Sequence, residues 1–318
     1  MYRLGVDLGG TNIVAGVVDE NFKIIATGKR KTNFPRPGEE IVKDIAAAVK
    51  DAIYNAKIDV KDIVSFGIGS PGAINSKDGI VERADNLGFY NFPITELLKK
   101  YTGFDFIIEN DANAAAYGEY IAGAGKGHKS LVAVTLGTGV GGGVIIDGKI
   151  FAGSNYAGAE LGHTIIAMDG EVCTCGRNGC WEAYASATAL IRQTKQAMIR
   201  YSDSIMWELC NNDITKVSGK TAFDAMRKGD KAGKMVVDKY IQYIAVGVIN
   251  CVNIFQPEVL CIGGGVSKEG ETLINPIKDY LDGEDYARNI KKRVQIKTAA
   301  LGNDAGLIGA AFLGELKK

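Results

Sequence analysis

The chain has 318 residues, of which 46% are hydrophobic and 23% are charged, so it is a globular protein long enough for two domains. Its 37 basic and 37 acidic residues balance, which argues against a broad surface for nucleic acid or membrane lipid. Asp7 interrupts the first apolar run, and the longest such run, residues 244–255, is shorter than the roughly 18 residues of a membrane span. We therefore expect a cytoplasmic protein with reduced thiols and with no membrane or nucleic-acid partner.

The predicted elements alternate along the chain. Four glycine-rich segments each follow an apolar run, which predicts a strand entering a tight turn, at residues 5–12, 67–72, 136–143 and 262–267. Helical periodicity predicts helices at residues 39–57, 111–122, 183–200 and 232–255, the last of them buried. This alternation of strands and helices predicts an α/β fold.

Two glycine-rich segments resemble each other. Residues 4–19 align without gaps with residues 132–147, at a constant offset of 128. Each segment has an apolar run, a glycine turn, a second apolar run and a polar turn, which predicts a β-hairpin with a glycine tip. We interpret the pair as a duplicated domain in which each half presents a phosphate-sized loop to a shared cleft. Chance similarity between two glycine-rich strands is the alternative.

The glycine loops suit phosphate binding. Residues 137–142 match the spacing G-x-G-x-x-G, but the β-branched run that follows predicts a hairpin, whereas a dinucleotide fingerprint needs a helix there. Glycine lets backbone N–H groups approach phosphate oxygens, so three such loops favour nucleotide binding over simple tight turns. Asp7 either holds Mg²⁺ beside the first loop or caps a turn, and Thr11 or Asn12 can hydrogen-bond a phosphate.

Asp111 stands where an apolar strand end meets an alanine-rich helix. An aspartate at this place is commonly the N-cap of the helix. The alternative is a functional carboxylate at the carboxyl end of a strand, on the ligand side of an α/β sheet, where it accepts a proton from a substrate hydroxyl. The local sequence fits both roles.

Three cysteines, Cys173, Cys175 and Cys180, have the spacing C-x-C-x₄-C, while the other three are scattered. A structural zinc ion takes four Cys or His ligands. His163, ten residues before the first cysteine, is the favoured fourth ligand, and Cys210 is another candidate. A redox pair or inert buried thiols are the alternatives to a zinc site.

A metal ion at these cysteines would hold Glu160, His163 and Glu182 near one another. Their carboxylate and imidazole groups suit the hydroxyl groups of a sugar, because each can accept a hydrogen bond. Solvated surface charge is the alternative for the two glutamates.

Five segments together resemble the ROK family of sugar kinases, and within it the bacterial glucokinases. In chain order they are DLGGTN (7–12), ENDAN (109–113), LGTGVGGG (136–143), AELGH (159–163) and CTCGRNGCWE (173–182). The resemblance implies an actin-like ATPase (ribonuclease H-like) fold with two α/β domains around a cleft. It implies a small domain of residues 1–110, joined by a C-terminal helix at 304–318, and a larger domain of residues 111–303 that carries the zinc loop.

The resemblance also implies roles for single residues, with Asp111 as the catalytic base. The side chains implied to bind the sugar are those of Asn86, Asn110, Asp111, Glu160, His163 and Glu182. The implied zinc ligands are His163, Cys173, Cys175 and Cys180. The residues implied to bind ATP are Asp7, Gly9, Gly10, Thr11, Asn12, Gly137, Thr138, Gly139, Gly141, Gly263, Gly264 and Gly265. The implied cofactors are ATP, Mg²⁺ and a structural Zn²⁺, and the implied assembly is a homodimer or a dimer of dimers.

Two departures from the family pattern leave the phosphate donor and the hexose open. Asn12 stands where the family often has Lys or Arg, and residues 86–90 read NLGFY where glucokinases often read NLPGW. The family also includes repressors with a DNA-binding helix-turn-helix before the first glycine segment. Only six residues precede Asp7, so we do not expect that function.

The leading hypothesis is phosphoryl transfer from ATP to the 6-hydroxyl of glucose. A kinase for N-acetylmannosamine, N-acetylglucosamine, fructose or allose is the alternative among enzymes. A non-catalytic sugar sensor is the alternative of another class, which the intact Asp111 disfavours. A nicotinamide-dependent dehydrogenase is disfavoured by the hairpin that follows the glycines.

Overall fold

The structure is a computed structural model that describes residues 1–316. Its contacts group the chain into two compact units. Unit 1 contains residues 1–133, residues 143–159 and the C-terminal stretch that begins at Ala299. Unit 2 contains residues 134–142 and 160–298.

The described residues contain thirteen strands and ten α-helices. The strands are β1 (Tyr2–Leu8), β2 (Asn12–Val18), β3 (Ile24–Lys31), β4 (Ile63–Ser70), β5 (Ala73–Asn75), β6 (Ile80–Ala84), β7 (Phe89–Phe92), β8 (Ile107–Asn110), β9 (Leu131–Leu136), β10 (Val140–Ile146), β11 (Lys149–Ile150), β12 (Val259–Gly263) and β13 (Gln295–Thr298). The helices are α1 (Gly38–Ala56), α2 (Ile94–Thr102), α3 (Asp111–Ala122), α4 (Glu182–Ala185), α5 (Ala187–Arg200), α6 (Met206–Leu209), α7 (Thr221–Arg227), α8 (Lys231–Phe255), α9 (Glu271–Glu284) and α10 (Ala305–Phe312).

The first large sheet has the strand order β3-β2-β1-β4-β8. Strands β1, β2 and β3 are antiparallel neighbours, whereas β4 and β8 continue the sheet parallel to β1. The carboxyl ends of β1, β4 and β8 therefore meet at one edge, which is the usual ligand side of an α/β sheet. A small antiparallel sheet, β5-β6-β7, lies in the same unit.

The second large sheet repeats this order as β11-β10-β9-β12-β13, with β12 and β13 parallel. In each sheet a hairpin with a glycine turn supplies the two strands that come first in the chain. This is the ribonuclease H-like arrangement of an actin-like ATPase, so the predicted fold class is confirmed. The shared order also supports the duplication inferred from the offset of 128.

The core of unit 1 forms because α1 buries one stripe of its surface. The stripe repeats at helical spacing, as an amphipathic helix requires. Its members are Ile41, Val42, Ile45, Ala46, Ala48, Val49 and Ala52. All of them except Ala46 pack with the buried apolar residues of β1 and β2 in one continuous cluster.

Helix α3 belongs to unit 1 because it packs closely against α10. A Cβ on Gly118 of α3 would collide with the carbonyl of Ala305, and one on Gly309 of α10 would collide with the carbonyl of Ala114. Only glycine permits backbones to approach this closely. The predicted domain boundary between residues 110 and 111 therefore differs from the contact units, which keep residues 111–133 with the first sheet.

The predicted helices agree with the structure at three of five positions. Those at 39–57, 111–122 and 232–255 are present as α1, α3 and α8, within one residue at each end. The predicted helix 183–200 is interrupted at Ser186, whose side chain accepts a hydrogen bond from the N–H of Ala189 and so caps α5. The predicted helix 304–318 ends at Phe312 and continues as a 3₁₀ turn, Leu313–Glu315, and its last two residues lie outside the described part of the chain.

Helix α8 is long and apolar enough to cross a membrane by length and composition alone. However, 61% of its most apolar window is buried inside the structure. Tyr240, Ile244 and Val248, one helical turn apart, are fully buried. This is the pattern of a core helix, as the sequence predicted.

Candidate active site and metal site

The first group of predicted site residues lies at the carboxyl ends of the parallel strands in unit 1. Asp7 is the penultimate residue of β1 and pairs with Gly69 of β4. Ser70, at the end of β4, pairs with Asn110 at the end of β8, and Asp111 follows directly. Gly69 lies between the two carboxylates, and a Cβ there would stand 3.5 Å from the Cα of Asp111.

Asp111 is not the N-cap of α3. That role belongs to Asn110, whose Oδ1 accepts hydrogen bonds from the N–H groups of Ala112 and Asn113 at 2.9 and 3.2 Å. The Asp111 carboxylate accepts a hydrogen bond from the N–H of Ala112 at 2.9 Å. Burial raises its pKa above the ordinary value of 3.8, and the bond from Ala112 opposes part of that rise. The N-cap reading of Asp111 is therefore wrong, and its role as a functional carboxylate stays a prediction.

Asp7 has a perturbed carboxyl group. Burial, followed by the charge of Asp111, raises its pKa from 3.8 to about 6. Gly306, at the start of α10, closes over it, since a Cβ on Gly306 would stand 3.4 Å from a carboxylate oxygen of Asp7. Asp7 and Asp111 repel each other at the carboxyl ends of their strands, so binding of a cation between them would be favourable.

The first glycine turn, residues 9–12, joins β1 to β2. The N–H of Gly9 donates to the carbonyl of Asn12 at 2.9 Å. Thr32, which follows β3 and lies outside the turn in sequence, holds the turn with two hydrogen bonds. Its hydroxyl donates to the carbonyl of Gly9 at 2.6 Å and its N–H donates to the carbonyl of Thr11 at 3.0 Å. Sequence reasoning missed Thr32, because only the pairing of β3 with β2 brings it here.

Asn86 lies beside this turn, with its Nδ2 3.4 Å from the position that a Cβ on Gly10 would take. The structure thus brings a predicted sugar-binding side chain next to a predicted phosphate-binding residue. In the altered segment 86–90, Leu87 and Phe89 are buried in the core, whereas Tyr90 is 62% exposed and donates to Asp85 at 2.9 Å. Asn110 donates through Nδ2 to the carbonyl of Gly72 at 3.0 Å, which leaves one N–H of its amide for a ligand.

The second group lies in unit 2 and includes the second glycine turn, residues 137–140. The N–H of Ala187, at the start of α5, donates to the carbonyl of Gly137 at 2.8 Å. The hydroxyl of Thr188 donates to the carbonyl of Thr138 at 2.8 Å. No helix follows this turn; strand β10 does, beginning at Val140 and running through Gly141, as the sequence predicted.

The third glycine turn, residues 263–265, packs against the strand that leads into the second. A Cβ on Gly264 would collide with the carbonyl of Leu136, and Gly264 has a φ of +87°. Ser267 closes the turn through its hydroxyl, which donates to the carbonyl of Gly264 at 2.8 Å. The two turns of unit 2 are therefore adjacent, as a shared nucleotide site requires.

Four predicted metal ligands converge in unit 2. The ligand atoms of His163, Cys173, Cys175 and Cys180 all lie within 4.8 Å of one another. Cys173 Sγ is 3.6 Å from His163 Nδ1, and Cys175 Sγ is 3.6 Å from Cys180 Sγ. A tetrahedral zinc ion, with bonds of about 2.0 Å to nitrogen and 2.3 Å to sulfur, places its ligand atoms roughly 3.5 to 3.8 Å apart. This thiol–histidine cluster therefore fits a tetrahedral ion.

Cys210 is not part of the cluster. Its thiol is buried and lies 3.7 Å from the hydroxyl of Thr221. Within the cluster, burial raises the pKa of the Cys180 thiol to about 12, while the backbone N–H of Arg177 lowers that of Cys175. Holding the buried Cys180 as a thiolate requires a cation at the cluster.

Glu182 connects the cluster to the second glycine turn. One carboxylate oxygen accepts from the N–H of Val140 at 2.9 Å, and the other accepts from the hydroxyl of Thr174 at 3.0 Å. Glu160 is exposed and immediately precedes the 3₁₀ turn Leu161–His163, in which the N–H of His163 donates to the carbonyl of Glu160. Sequence reasoning missed Thr174, whose position between two cysteines gave no separate signal.

Comparison with known proteins gives a consistent result. The model of the ROK family matches residues 3–316. The chain is 38% identical over 312 residues to the glucokinase of Thermotoga maritima, covering 98% of this chain and 96% of that protein. It is 39% identical over 315 residues to the glucokinase of Streptomyces coelicolor, with the same coverage of 98% and 96%.

A solved structure extends this likeness to three dimensions. It is a ROK family glucokinase from Streptomyces griseus in complex with glucose and AMPPNP. The TM-score is 0.81 at 37% identity, and the alignment covers 98% of this chain and 99% of that one.

Proposed function

The chain belongs to the ROK family, and from this premise we propose that it is an ATP-dependent glucokinase that phosphorylates the 6-hydroxyl of glucose. The observation that carries the proposal is the placement of Asp111. It is a half-buried carboxylate at the carboxyl end of a parallel strand, where Asn110 takes the capping role, and it is close enough to Asp7 to raise the pKa of that group.

Asp111 is the general base in this proposal. It accepts the proton of the sugar hydroxyl as that oxygen attacks the γ-phosphorus of ATP, and the bond to the β-phosphate oxygen breaks. The backbone N–H groups of the first and second glycine turns stabilise the phosphate charge, since their glycines allow close approach. The third glycine turn binds near the adenosine. Asp7 would hold Mg²⁺, which would supply positive charge to the phosphates.

Glu160, His163 and Glu182 bind sugar hydroxyls, together with Asn86 and Asn110. The carboxylates accept hydrogen bonds, and the amide groups donate and accept. Glu182 is held from two sides, by Val140 and Thr174, so its orientation is fixed before the sugar binds.

We also propose that the thiol–histidine cluster holds a structural Zn²⁺. Four protein ligands leave no open position on the ion, so its role is to fix the loop that carries Glu182. Thiolate ligands suit a reducing compartment, which supports a cytoplasmic location. A homodimer or a dimer of dimers is the assembly we propose for this family member.

The test is ADP release from Mg·ATP with glucose, fructose, allose, mannose, N-acetylglucosamine and N-acetylmannosamine in parallel. We expect the highest kcat/KM with glucose. A higher value with another sugar would keep the chemistry and assign a different substrate, with residues 86–90 as the first place to look. Tight sugar binding without ADP release from any of them would replace the kinase by a sugar sensor.

A further inference from the structure

We propose that Lys31 supplies the positive charge of the first glycine turn and contacts a phosphate oxygen of the bound nucleoside triphosphate. The inference rests on the proposed function, because it concerns how the same site binds its phosphate donor. It also concerns Asn12, the neutral residue of the turn, to which the Lys31 side chain is hydrogen-bonded.

Strand pairing places Lys31 at the turn. Asn12 and Lys31 are direct partners in the β2–β3 register, although they are far apart in the chain. The Lys31 Nζ donates to Asn12 Oδ1 at 2.7 Å. The next residue, Thr32, is fully buried and makes the two hydrogen bonds that fix the turn. The backbone of Lys31 is thereby held at a constant position relative to residues 9–12.

The first glycine turn has no cationic side chain of its own. Residues 7–12 contain no Lys or Arg, and they begin with Asp7, which lies close to Asp111. A polyphosphate placed against this turn would meet two carboxylates. Backbone N–H groups and a divalent ion offset part of that repulsion, and a lysine beside the turn offsets more.

Within the described part of the chain, Lys31 lies at the turn without an acidic partner, whereas the two neighbouring arginines are paired and Lys29 lies opposite Val14, away from the turn. Arg30 is paired with Asp51 at 2.6 Å, and Arg36 is paired with Asp44 at 2.5 Å. The hydrogen bond of Lys31 goes to a neutral amide, which leaves the full charge of its ammonium group. A phosphate oxygen is a stronger acceptor for an ammonium group than an amide oxygen is, so the lysine exchanges one for the other when the nucleotide binds.

Binding of Mg·AMPPNP to the intact protein, measured by calorimetry, tests the inference. We expect Lys31→Ala to weaken binding about five- to tenfold at low salt, about 50 mM, and less at about 300 mM, because salt screens an exposed charge. Lys29→Ala is the matched control. Lys29 lies two residues earlier on the same face of β3, so its loss should change the affinity by less than about twofold.

Moving the charge gives a second, independent readout. The double variant Asn12→Lys, Lys31→Ala removes the lysine of β3 and places one in the turn itself. We expect its affinity for Mg·AMPPNP to be within about twofold of wild type. Equal affinities for wild type and Lys31→Ala at low salt would overturn the inference, as would an equal loss in Lys29→Ala. If AMPPNP binding depends on Lys31 but no sugar is phosphorylated, the inference stands and the proposed function fails.

Discussion

The carboxylate of Glu182 accepts a hydrogen bond from the backbone N–H of Val140, in the second glycine turn, at 2.9 Å. Its other oxygen accepts from Thr174, which lies between two residues of the thiol–histidine cluster, at 3.0 Å. One side chain therefore joins the predicted metal site to a predicted phosphate loop. This arrangement also explains why residue 139 is a glycine, because a Cβ on Gly139 would collide with the Glu182 carboxylate.

Gly139→Ala should displace Glu182 and weaken glucose binding about tenfold, the range expected when a charged hydrogen-bonding group is lost. The measurement is calorimetric titration with glucose in the absence of nucleotide. Gly137→Ala is the matched control, since a Cβ there meets nothing within 4 Å. Equal glucose affinities in the two variants would show that Glu182 does not position the sugar.

Asp7→Asn tests whether the ionised carboxylate of Asp7 destabilises the folded protein. The pKa of Asp7 is raised from 3.8 to about 6, so the folded state binds more protons than the unfolded state between these values. Wild-type stability from this group is therefore present below pH 3.8 and is lost as the pH rises through about 6. The quantity to compare, without Mg²⁺, is the free energy of unfolding of Asp7→Asn minus that of wild type. We expect this difference to be about 2 kcal/mol larger at about pH 8 than at about pH 4.

Urea unfolding of both proteins at the two pH values measures this difference. Asp105→Asn is a suitable control, because Asp105 is 82% exposed in its ion pair with Lys99. The same stability difference between Asp7→Asn and wild type at both pH values would mean that ionisation of Asp7 does not destabilise the folded protein.

The reaction should slow at acid pH because its general base, Asp111, becomes protonated. Burial raises the pKa of Asp111, and a base accepts a proton only when it is ionised. We expect kcat/KM for glucose to fall as the pH is lowered, with a midpoint above 3.8, the ordinary value of an aspartate. The residual activity of Asp111→Asn should lack this acid limb, and a limb of unchanged position in that variant would assign the titration to another group.

Metal analysis of the purified protein should find about one zinc ion per chain. Cys175→Ser should bind less than about half of that, because a cluster ligand is removed. Cys175 is exposed, so the serine leaves the core intact, whereas Cys210→Ser, outside the cluster, should retain the metal. Zinc content that is equally low in wild type and Cys175→Ser would refute the structural zinc.

Local patterns predicted the features that depend on nearby residues. The helix periodicities predicted α1, α3 and α8, and the glycine turns predicted the hairpins β1–β2 and β9–β10. The spacing of the cysteines, together with His163, predicted the convergence of four ligand atoms. In each case the chemistry lies within a short stretch or in one repeating period.

Features that depend on strand register or on close helix packing were not predictable. Thr32 and Lys31 reach the first glycine turn only through the pairing of β3 with β2. The membership of α3 in unit 1 depends on Gly118 and Gly309, which no sequence pattern connects. That Asn110 and not Asp111 caps α3 depends on side-chain geometry, which the local sequence does not specify.

The central claim is tested most directly by identifying the product formed from glucose and Mg·ATP. Glucose-6-phosphate dehydrogenase oxidises only glucose phosphorylated at the 6-hydroxyl, so NADP⁺ reduction in a coupled assay reports that product. We predict robust reduction with wild type, and a kcat lower by about 10² to 10⁴ with Asp111→Asn at similar glucose affinity. ADP release without NADP⁺ reduction, or an Asp111→Asn variant that turns over at the wild-type rate, would contradict the account.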